Sequence, residues 1–431
     1  MRVPEGELSA VAVALGAAYE RISDVREVDN QMRIEFVRAL GSLRGNVATP
    51  ALVRIMGVHS ESQHFLINRL AARELGQNGD PAAVEPMIRA LFQFAPRNPR
   101  MRMNDVAAEA LVRIGRPSLQ PLLSVLDGTH SAANIAADAL IAAFREGDPN
   151  LSVSREQVVT PEATYALGML GLADAFEPLF AETRARERSR QLNGLVALVR
   201  LRLTAAQQRR VRVAVTAIYR RLGADQIETR AQLLATMANT FDPAYLPLFF
   251  TVARDQRAHT ATRETALVSL ARLANRAQAA QLRSIIAADA DNAARYDEYL
   301  VPYLLAAEQC DTDLACYVAE LVDPDAMVAE KAAWMLGLLA PDDHPAALEG
   351  LTQQLGHPAF DARFAALQAL DHIAASGSQA AIDRIDELRA MEEGRAIWDR
   401  FKGLALPIQA RLRVRMQGAG WVAVAAGSAA K

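Results

Sequence analysis

The stretch Gly79-Asp80-Pro81-Ala82-Ala83-Val84-Glu85-Pro86 decides the fold, because it reads as the end of one helix, a tight turn and the start of another. Glycine suits the left-handed residue that terminates a helix. Proline suits the first turn of a helix, where its missing N–H would lack an intrahelical partner anyway. The stretch therefore predicts two helices joined by a tight turn.

Residues 84–88, which begin at the end of this stretch, follow a five-residue pattern that occurs five times in the chain. The pattern is an apolar or small residue, any residue, proline and two mostly apolar residues. The prolines of the five copies are 36, 35, 57 and 69 residues apart. The first two gaps are one period and the last is close to two. The gap of 57 contains a surplus of about 20 residues, which we place in the polar segment 147–160. The copies begin at Ala48, Val84, Leu119, Phe176 and Tyr245.

The residues before these prolines have the apolar spacing of a helix. Val106, Ala110 and Ile114 recur at four-residue steps, a spacing that places them on one helix face. The 84 alanines, against 23 glycines and 19 prolines, also favour helix over sheet. Each repeat is therefore predicted to be a helical hairpin of about 35 residues.

At these residues the chain resembles the HEAT-repeat family, in its short bacterial form, which is also called the PBS-lyase type. Residues 79–86 match the family's turn and second helix, and 110–117 and 336–339 match the end of its first helix. The resemblance implies an all-α fold, an α-solenoid in which about nine or ten hairpins form a right-handed superhelix.

We expect this solenoid to span residues 29–391. A capping helix is predicted within residues 1–28 and another within 392–417, and the tail 418–431 is predicted to be disordered. The boundaries of the helical repeats are unclear around 291–322, because Pro302 would kink or break a continuous helix.

Composition excludes several classes of protein. A net charge of −3 excludes an overall nucleic-acid-like charge, and two cysteines exclude a zinc site built on four thiolates. No segment reaches the roughly 20 strongly apolar residues of a membrane span. Glu5 and Glu7 stand where a signal peptide carries positive charge. We expect a cytoplasmic chain by default, or an extracytoplasmic one if its cysteines form a disulfide or its N-terminus is truncated.

Motifs for catalysis are absent from the sequence. Deoxyhypusine hydroxylase, a HEAT-like enzyme, binds two irons through His-Glu pairs, and none of the seven histidines here precedes a glutamate. The sequence also lacks a Gly-rich phosphate loop and a G-x-S-x-G motif. We therefore expect no catalytic residue, no metal and no cofactor, and a lyase-type HEAT enzyme is the least favoured function.

Cys310 and Cys316 flank Asp311-Thr312-Asp313, a predicted turn and helix N-cap. Across a hairpin their Cα atoms would come within disulfide reach, about 4.4–6.8 Å. The alternative is two small buried apolar side chains in a reducing compartment. Both interpretations remain open from the sequence.

An arginine block, residues 184–222, contains eleven arginines and one acid, Glu187, for a local charge of +10. Guanidinium groups bind phosphate and carboxylate, so the block is a candidate site for an anion or an acidic partner. One alternative is a solvated helix face, because the arginines of 204–222 fall outside the apolar stripe of their helix. Another is contact with an acidic surface of this chain or of a partner. The candidate binding residues are Arg184, Arg186, Arg188, Arg190, Arg209, Arg210, Arg220 and Arg221.

Stacked hairpins and missing catalytic motifs together favour a non-enzymatic scaffold that binds a protein or an extended peptide. By resemblance to the family, the second helices would line the concave face that holds this partner. The alternative from a different class is a polyanion or nucleic-acid binder that uses the arginine block.

Overall fold

The structure, a computed structural model, describes residues 4–22, 27–43, 45–289 and 292–428. Within these ranges the chain is helical apart from turns, loops and one short β-hairpin. The chain divides into two compact units, unit 1 at Met1–Leu201 and unit 2 at Arg202–Lys431. Helical hairpins follow one another along each unit and contact the next. The predicted all-α solenoid class is confirmed.

Unit 1 contains eleven α-helices and two strands among its described residues. They are α1 Leu8–Glu20, α2 Glu27–Gly41, α3 Thr49–Gly57, α4 Phe65–Asn78, α5 Val84–Ala90, β1 Phe94–Ala95, β2 Asn98–Arg102, α6 Asn104–Ile114, α7 Leu119–Leu126, α8 Ser131–Gly147, α9 Arg155–Leu170, α10 Phe176–Glu182 and α11 Arg188–Leu198.

Unit 2 contains twelve α-helices among its described residues. They are α12 Ala205–Arg221, α13 Ile227–Ala238, α14 Leu246–Arg254, α15 Thr260–Leu273, α16 Arg276–Ala287, α17 Ala293–Cys310, α18 Leu314–Glu320, α19 Ala326–Leu339, α20 Pro345–Gln354, α21 Phe360–Ile373, α22 Gln379–Glu392 and α23 Ala396–Ser428.

The turn at residues 79–81 shows why each hairpin forms where it does. Gly79 ends α4 in the left-handed conformation, with φ of 66°, which favours glycine. The Asp80 side chain accepts a hydrogen bond of 3.0 Å from the backbone N–H of Ala82, and Pro81 opens the short helical turn that leads into α5. Asp242 and Pro243 repeat this cap before α14, with a bond of 2.9 Å. The local sequence thus sets each junction.

The first helices of the unit 1 hairpins, α2, α4, α6, α9 and α11, contact one another in sequence order. Two of these contacts, between α4 and α6 and between α9 and α11, are close because small residues meet there. A Cβ atom built on Gly76 of α4 would lie 2.7 Å from the Cα of Ala110 on α6, and one on Gly168 of α9 would lie 2.7 Å from the Cα of Ala197 on α11. The first helices therefore form the tightly packed row of unit 1.

The surplus of about 20 residues does not lie where we placed it. It forms an additional helix, α8, and a loop at 148–154, whereas residues 155–160 belong to α9. Ser154 accepts from the N–H of Gln157 and the Gln157 side chain accepts from the N–H of Ser154, a capping box that starts α9. The Ala-rich sequence of α8 has the spacing of a repeat helix, which concealed the insertion.

The β-hairpin between α5 and α6 was not predicted. Phe94 pairs with Arg102 and Ala95 with Asn98 in antiparallel register. Pro96 and Pro99 fall in its loop and at the second residue of β2, positions at which a short edge hairpin tolerates proline. The hairpin carries Arg97, Arg100 and Arg102 on the N-terminal side of α6.

Helices at the C-terminal end are longer than expected. Helix α17 continues through Pro302 without interruption, so the predicted break at this residue is wrong. Helix α23 runs to Ser428, whereas we expected disorder from residue 418; residues 429–431 lie outside the described residues. The sequence 418–428 is mostly Ala, Gly and Val and contains no proline.

Candidate functional site

The arginine block is partly neutralised by carboxylates of the same chain. The Arg190 guanidinium donates hydrogen bonds of 2.7 and 2.8 Å to Glu182, and it also binds Glu156. The hydrogen bonds to Glu182 raise the pKa of the Arg190 guanidinium above its usual value. In unit 2, Arg202 binds Asp342 at 2.7 Å and Arg212 binds Asp242 at 3.1 Å. These arginines join repeats to one another.

The remaining candidate arginines are exposed, with Arg184 and Arg186 between α10 and α11 and the others on helices. Arg184 lies over the ring of Phe180, with its guanidinium carbon 5.0 Å from the ring centre. The Nε atom of Arg221 donates to the carbonyl oxygen of Ala217 on its own helix. The block is divided between unit 1 and unit 2. The other exposed members are Arg186, Arg188, Arg209, Arg210 and Arg220.

The structure joins Cys310, at the end of α17, to Cys316 of α18 by a disulfide bond. Their Cα atoms lie 5.4 Å apart, within the range of such a bond. Cys310 is buried and Cys316 is half-buried. The pair therefore has the cross-hairpin geometry that the sequence suggested.

Sequence reasoning missed a polar surface of unit 1 that lies on its row of first helices. Its centre is Tyr165 of α9, which is 43% exposed. The guanidinium carbon of Arg200 lies 5.6 Å from the centre of the Tyr165 ring. We call this region the Tyr165 surface. It comprises Leu66, Arg69, Met101, Arg102, Asp105, Glu109, Glu162, Tyr165 and Arg200.

Ion pairs link neighbouring helices across the Tyr165 surface. Arg69 of α4 donates two hydrogen bonds of 2.8 and 2.6 Å to Asp105 of α6. Arg102 of β2 binds Glu162 of α9 at 2.7 Å, and Asn104 donates to the same carboxylate. Arg69 also donates to the carbonyl oxygen of Arg102 at 2.5 Å. Side chains from three repeats are thereby fixed relative to one another.

The electrostatics of Tyr165 show which charges surround it. Burial raises the pKa of the Tyr165 hydroxyl, and Arg200 opposes this increase. The carboxylates of Asp105, Glu109 and Glu162 raise the pKa further because they disfavour a phenolate. The neutral hydroxyl of Tyr165 therefore lies beside a group of three carboxylates.

Exposed apolar side chains lie at the N-terminal side of this surface. Leu66, which is 56% exposed, precedes Arg69 by three residues on α4 and thus occupies the same helix face. Met101, which is 45% exposed, directly precedes Arg102 in β2. The Tyr165 surface therefore combines an aromatic ring, apolar side chains and fixed charges.

Unit 2 contains a buried polar cluster around Trp334 of α19. Trp334 is fully buried, and its Nε1 donates to Glu330 at 3.1 Å. Glu330 also accepts from Arg272 at 2.8 Å and from the hydroxyl of Tyr303 at 2.5 Å. The bonds from Arg272 and Tyr303 join α15 and α17 to α19, so we interpret the cluster as structural.

Lys331 belongs to the same region and is completely buried. Its ammonium group donates to the carbonyl oxygens of Ala271, Arg272 and Ala274, at 2.9, 3.1 and 2.6 Å. These carbonyls lie at the C-terminal end of α15, where no intrahelical N–H satisfies them. Burial lowers the pKa of the Lys331 ammonium group well below its usual value. Lys331 thus caps α15 from a neighbouring hairpin.

Comparison with known proteins supports the repeat type. The family model of the PBS lyase HEAT-like repeat matches residues 68–93, which contain the end of α4, the 79–86 turn and α5. The predicted resemblance is therefore confirmed at this position. No curated protein matches the sequence.

Two solved structures align with the chain at low similarity. Human deoxyhypusine hydroxylase in complex with glycerol has 16% identity and a TM-score of 0.22, covering 77% of this chain and 96% of that one. An engineered protein has 15% identity and a TM-score of 0.26, covering 95% of this chain and 98% of that one. Likenesses of this size say nothing about function.

A helix that crosses a membrane must be long and apolar along its length. Among the described residues, none of the helices combines the length and the apolar character needed to cross a bilayer.

Proposed function

We propose that this protein is a non-enzymatic HEAT-like scaffold that binds a protein or an extended peptide on the Tyr165 surface. The proposal assigns binding to the first helices of unit 1, whereas the family resemblance had suggested the second helices. A non-enzymatic role agrees with the sequence, in which no catalytic motif appears.

The exposure of Tyr165 carries this proposal. A tyrosine that is 43% exposed and stacked on Arg200 is fixed in position before any partner arrives. Tyrosine and arginine are enriched among the residues that dominate binding energy at protein interfaces. A rigid aromatic side chain also loses little conformational entropy on binding.

The surrounding charges indicate the chemistry of the partner. The Asp105 side chain remains 62% exposed although it binds Arg69. Asp105 would therefore attract a basic side chain, while Leu66 and Met101 offer apolar contacts. We expect a partner segment that carries a lysine or arginine next to an apolar or aromatic residue.

Site-specific photocrosslinking tests this proposal. A photoreactive phenylalanine derivative placed at position 165 should capture a discrete partner in the native cell. The same group at Val322 of unit 2, which is 78% exposed, is the control. Tyr165→Ala should then weaken the affinity for the captured partner by at least ~30-fold, which corresponds to the loss of about 2 kcal/mol typical of a dominant interface residue.

Two results would contradict the proposal. One is capture of the same proteins from positions 165 and 322, which would indicate non-specific contact. The other is an affinity for the captured partner that Tyr165→Ala leaves unchanged.

The alternative function, binding of a polyanion, is favoured by the exposed arginines of α12. Replacing Arg209, Arg210, Arg220 and Arg221 with alanine should abolish retention on a polyanion column and reduce its salt dependence. A control variant removes the same charge from exposed positions elsewhere. It replaces Arg21, Arg145, Arg257 and Arg395 with alanine. Equal retention of both variants would argue against a specific role for α12.

A lyase-type enzyme would need a pocket with convergent acid–base groups. A cleft of about 280 Å³ between α14, α15 and α16 is the candidate in unit 2. The polar side chains of its lining are Arg254, Gln256, Arg263, Gln281 and Ser284, with no carboxylate or histidine among the lining residues. This cleft therefore does not supply the acid–base groups that a lyase would need.

A further inference from the structure

The hairpin of α17 and α18 brings together three side chains that bind metals. The Sγ atoms of Cys310 and Cys316 and a carboxylate oxygen of Glu320 lie within 4.8 Å of one another. Among the described residues, this is the one group of three or more His, Cys, Asp or Glu ligand atoms with such spacing. Neither the repeat match nor the proposed scaffold role assigns a function to it.

Surrounding contacts fix these three residues. Asp313 caps α18 by accepting from the N–H groups of Ala315 and Cys316. The buried Tyr317 donates through its hydroxyl to the carbonyl oxygen of Asp311 at 3.0 Å, which fixes the turn. Glu320 follows Cys316 by one helical turn and so shares its helix face.

The Glu320 carboxylate is held by α17 as well. The side chain of Gln309, next to Cys310, donates to one Glu320 oxygen at 2.8 Å. Such a bond from outside the ligand set orients a carboxylate for metal binding. Glu320 is half-buried, so solvent and ions reach the site.

We propose that Cys310, Cys316 and Glu320 form a redox-controlled site for a thiophilic divalent cation of the Zn²⁺ class. With the disulfide closed, neither sulfur is a thiolate and the site cannot bind. With the disulfide reduced, two thiolates and one carboxylate supply three ligands, and water completes a tetrahedral set. Zinc–sulfur bonds of about 2.3 Å require the sulfurs to separate to about 3.8 Å, which a pair with Cα atoms 5.4 Å apart accommodates.

The chemistry balances in two steps. In the first step a phosphine reductant gives two electrons to the disulfide, and the S–S bond breaks. The phosphine takes the oxygen of one water molecule and becomes a phosphine oxide. The two protons of that water convert the two sulfurs into thiols. Binding of Zn²⁺ then displaces both thiol protons to solvent, so two protons are released for each metal bound.

Cobalt titration of the full-length protein tests this site, because Co²⁺ bound to thiolates shows a charge-transfer band in the near ultraviolet. After phosphine reduction without oxygen, the band should saturate at one Co²⁺ per chain and disappear when Zn²⁺ is added. The oxidised protein should show no band. The double variant Cys310→Ser, Cys316→Ser should show none under either condition.

The role of the carboxylate is tested separately. Glu320→Gln should keep the band but weaken Co²⁺ affinity by ~10-fold or more, as expected for a lost ligand or ligand-orienting group. Glu298→Gln, an exposed position on α17, removes the same charge and should leave the affinity unchanged.

Three results would overturn the proposal. They are the absence of a band after reduction, a band that survives loss of both cysteines, and wild-type affinity in Glu320→Gln. The outcome is independent of the proposed scaffold function, since the Tyr165 surface lies in unit 1 and these cysteines lie in unit 2.

Discussion

Arg363 of α21 donates two parallel hydrogen bonds to Glu392, the last residue of α22, at 2.7 and 2.9 Å. Both side chains are largely buried, with exposures of 3% and 11%. The bonds from Arg363 lower the pKa of the Glu392 carboxyl, and burial opposes this effect only in part. One hairpin of unit 2 is thus closed by a charged pair that water barely reaches.

We expect Glu392→Gln to lower the free energy of unfolding by about 3 kcal/mol, since removing one partner of a buried pair leaves the other charge uncompensated. Urea unfolding at neutral pH measures the change. Glu387→Gln, which disrupts the pair of Glu387 with Arg384, is the control because the Glu387 side chain is 62% exposed. It should cost at most about 1 kcal/mol. Equal losses in the two variants would contradict this prediction.

Asp371 makes the C-terminal part of unit 2 sensitive to acid. Burial alone would raise the pKa of the Asp371 carboxyl, but Arg411 and Arg415 of α23 outweigh burial and lower it. Because the pKa in the folded state is below the unfolded value of about 3.9, the stabilisation is complete above pH ~4 and declines as pH falls through the folded pKa.

The stability difference between wild type and Asp371→Asn should therefore be constant from pH 7 to about 5 and decrease below about 4. Hydrogen exchange in α23, followed over this pH range, measures the effect locally. Asp386→Asn is the control, since Asp386 binds Arg413 of the same helix but is 49% exposed. A difference that does not vary with pH would contradict the prediction, because it would mean that folding leaves the pKa of Asp371 unchanged.

Because the first helices pack closely, we expect alanine substitution to change the stability of the protein differently at two glycines, Gly76 and Gly57. Gly76→Ala should destabilise the protein by about 1–3 kcal/mol, because its new methyl group would overlap Ala110 of α6. Gly57→Ala, near the end of α3, meets nothing within 4 Å and should be neutral or slightly stabilising. Thermal unfolding of the two variants provides the measurement. A stable Gly76→Ala protein would mean that the row of first helices is looser than described.

Lys331 provides a test of tertiary helix capping. Lys331→Met should lower the free energy of unfolding by about 2–4 kcal/mol, because three carbonyl oxygens of α15 lose their donor. Lys402→Met is the control, since Lys402 is half-exposed and binds Asp399 at the surface. Chemical denaturation compares the two variants. If both are as stable as the wild type, the end of α15 is satisfied by other donors.

The junctions of the repeats were predictable because their chemistry is local. Gly79, Asp80 and Pro81 specify a helix stop and a helix start without help from distant residues. Pro302 was misleading because the cost of one missing backbone hydrogen bond is offset by the packing of α17 along its length. Helix α8 was missed because its alanine spacing is that of an ordinary repeat helix.

The Tyr165 surface was not predictable from one helix at a time. Arg69 and Asp105 are 36 residues apart, as are Glu61 and Arg97, which also pair. A search for opposite charges separated by one repeat period would have found both pairs. Tyr165 itself gave no signal, because its exposure depends on how three repeats stack.

These charge pairs have a consequence for how the chain evolves. The interiors of the repeats consist largely of alanine and leucine, whereas junctions of unit 1 carry different polar pairs, such as Arg69 with Asp105 and Arg190 with Glu156. Duplicating or shuffling a module would preserve the apolar interior but separate these side chains from their partners. The charged residues between neighbouring modules thus help to specify the order of the modules along the chain.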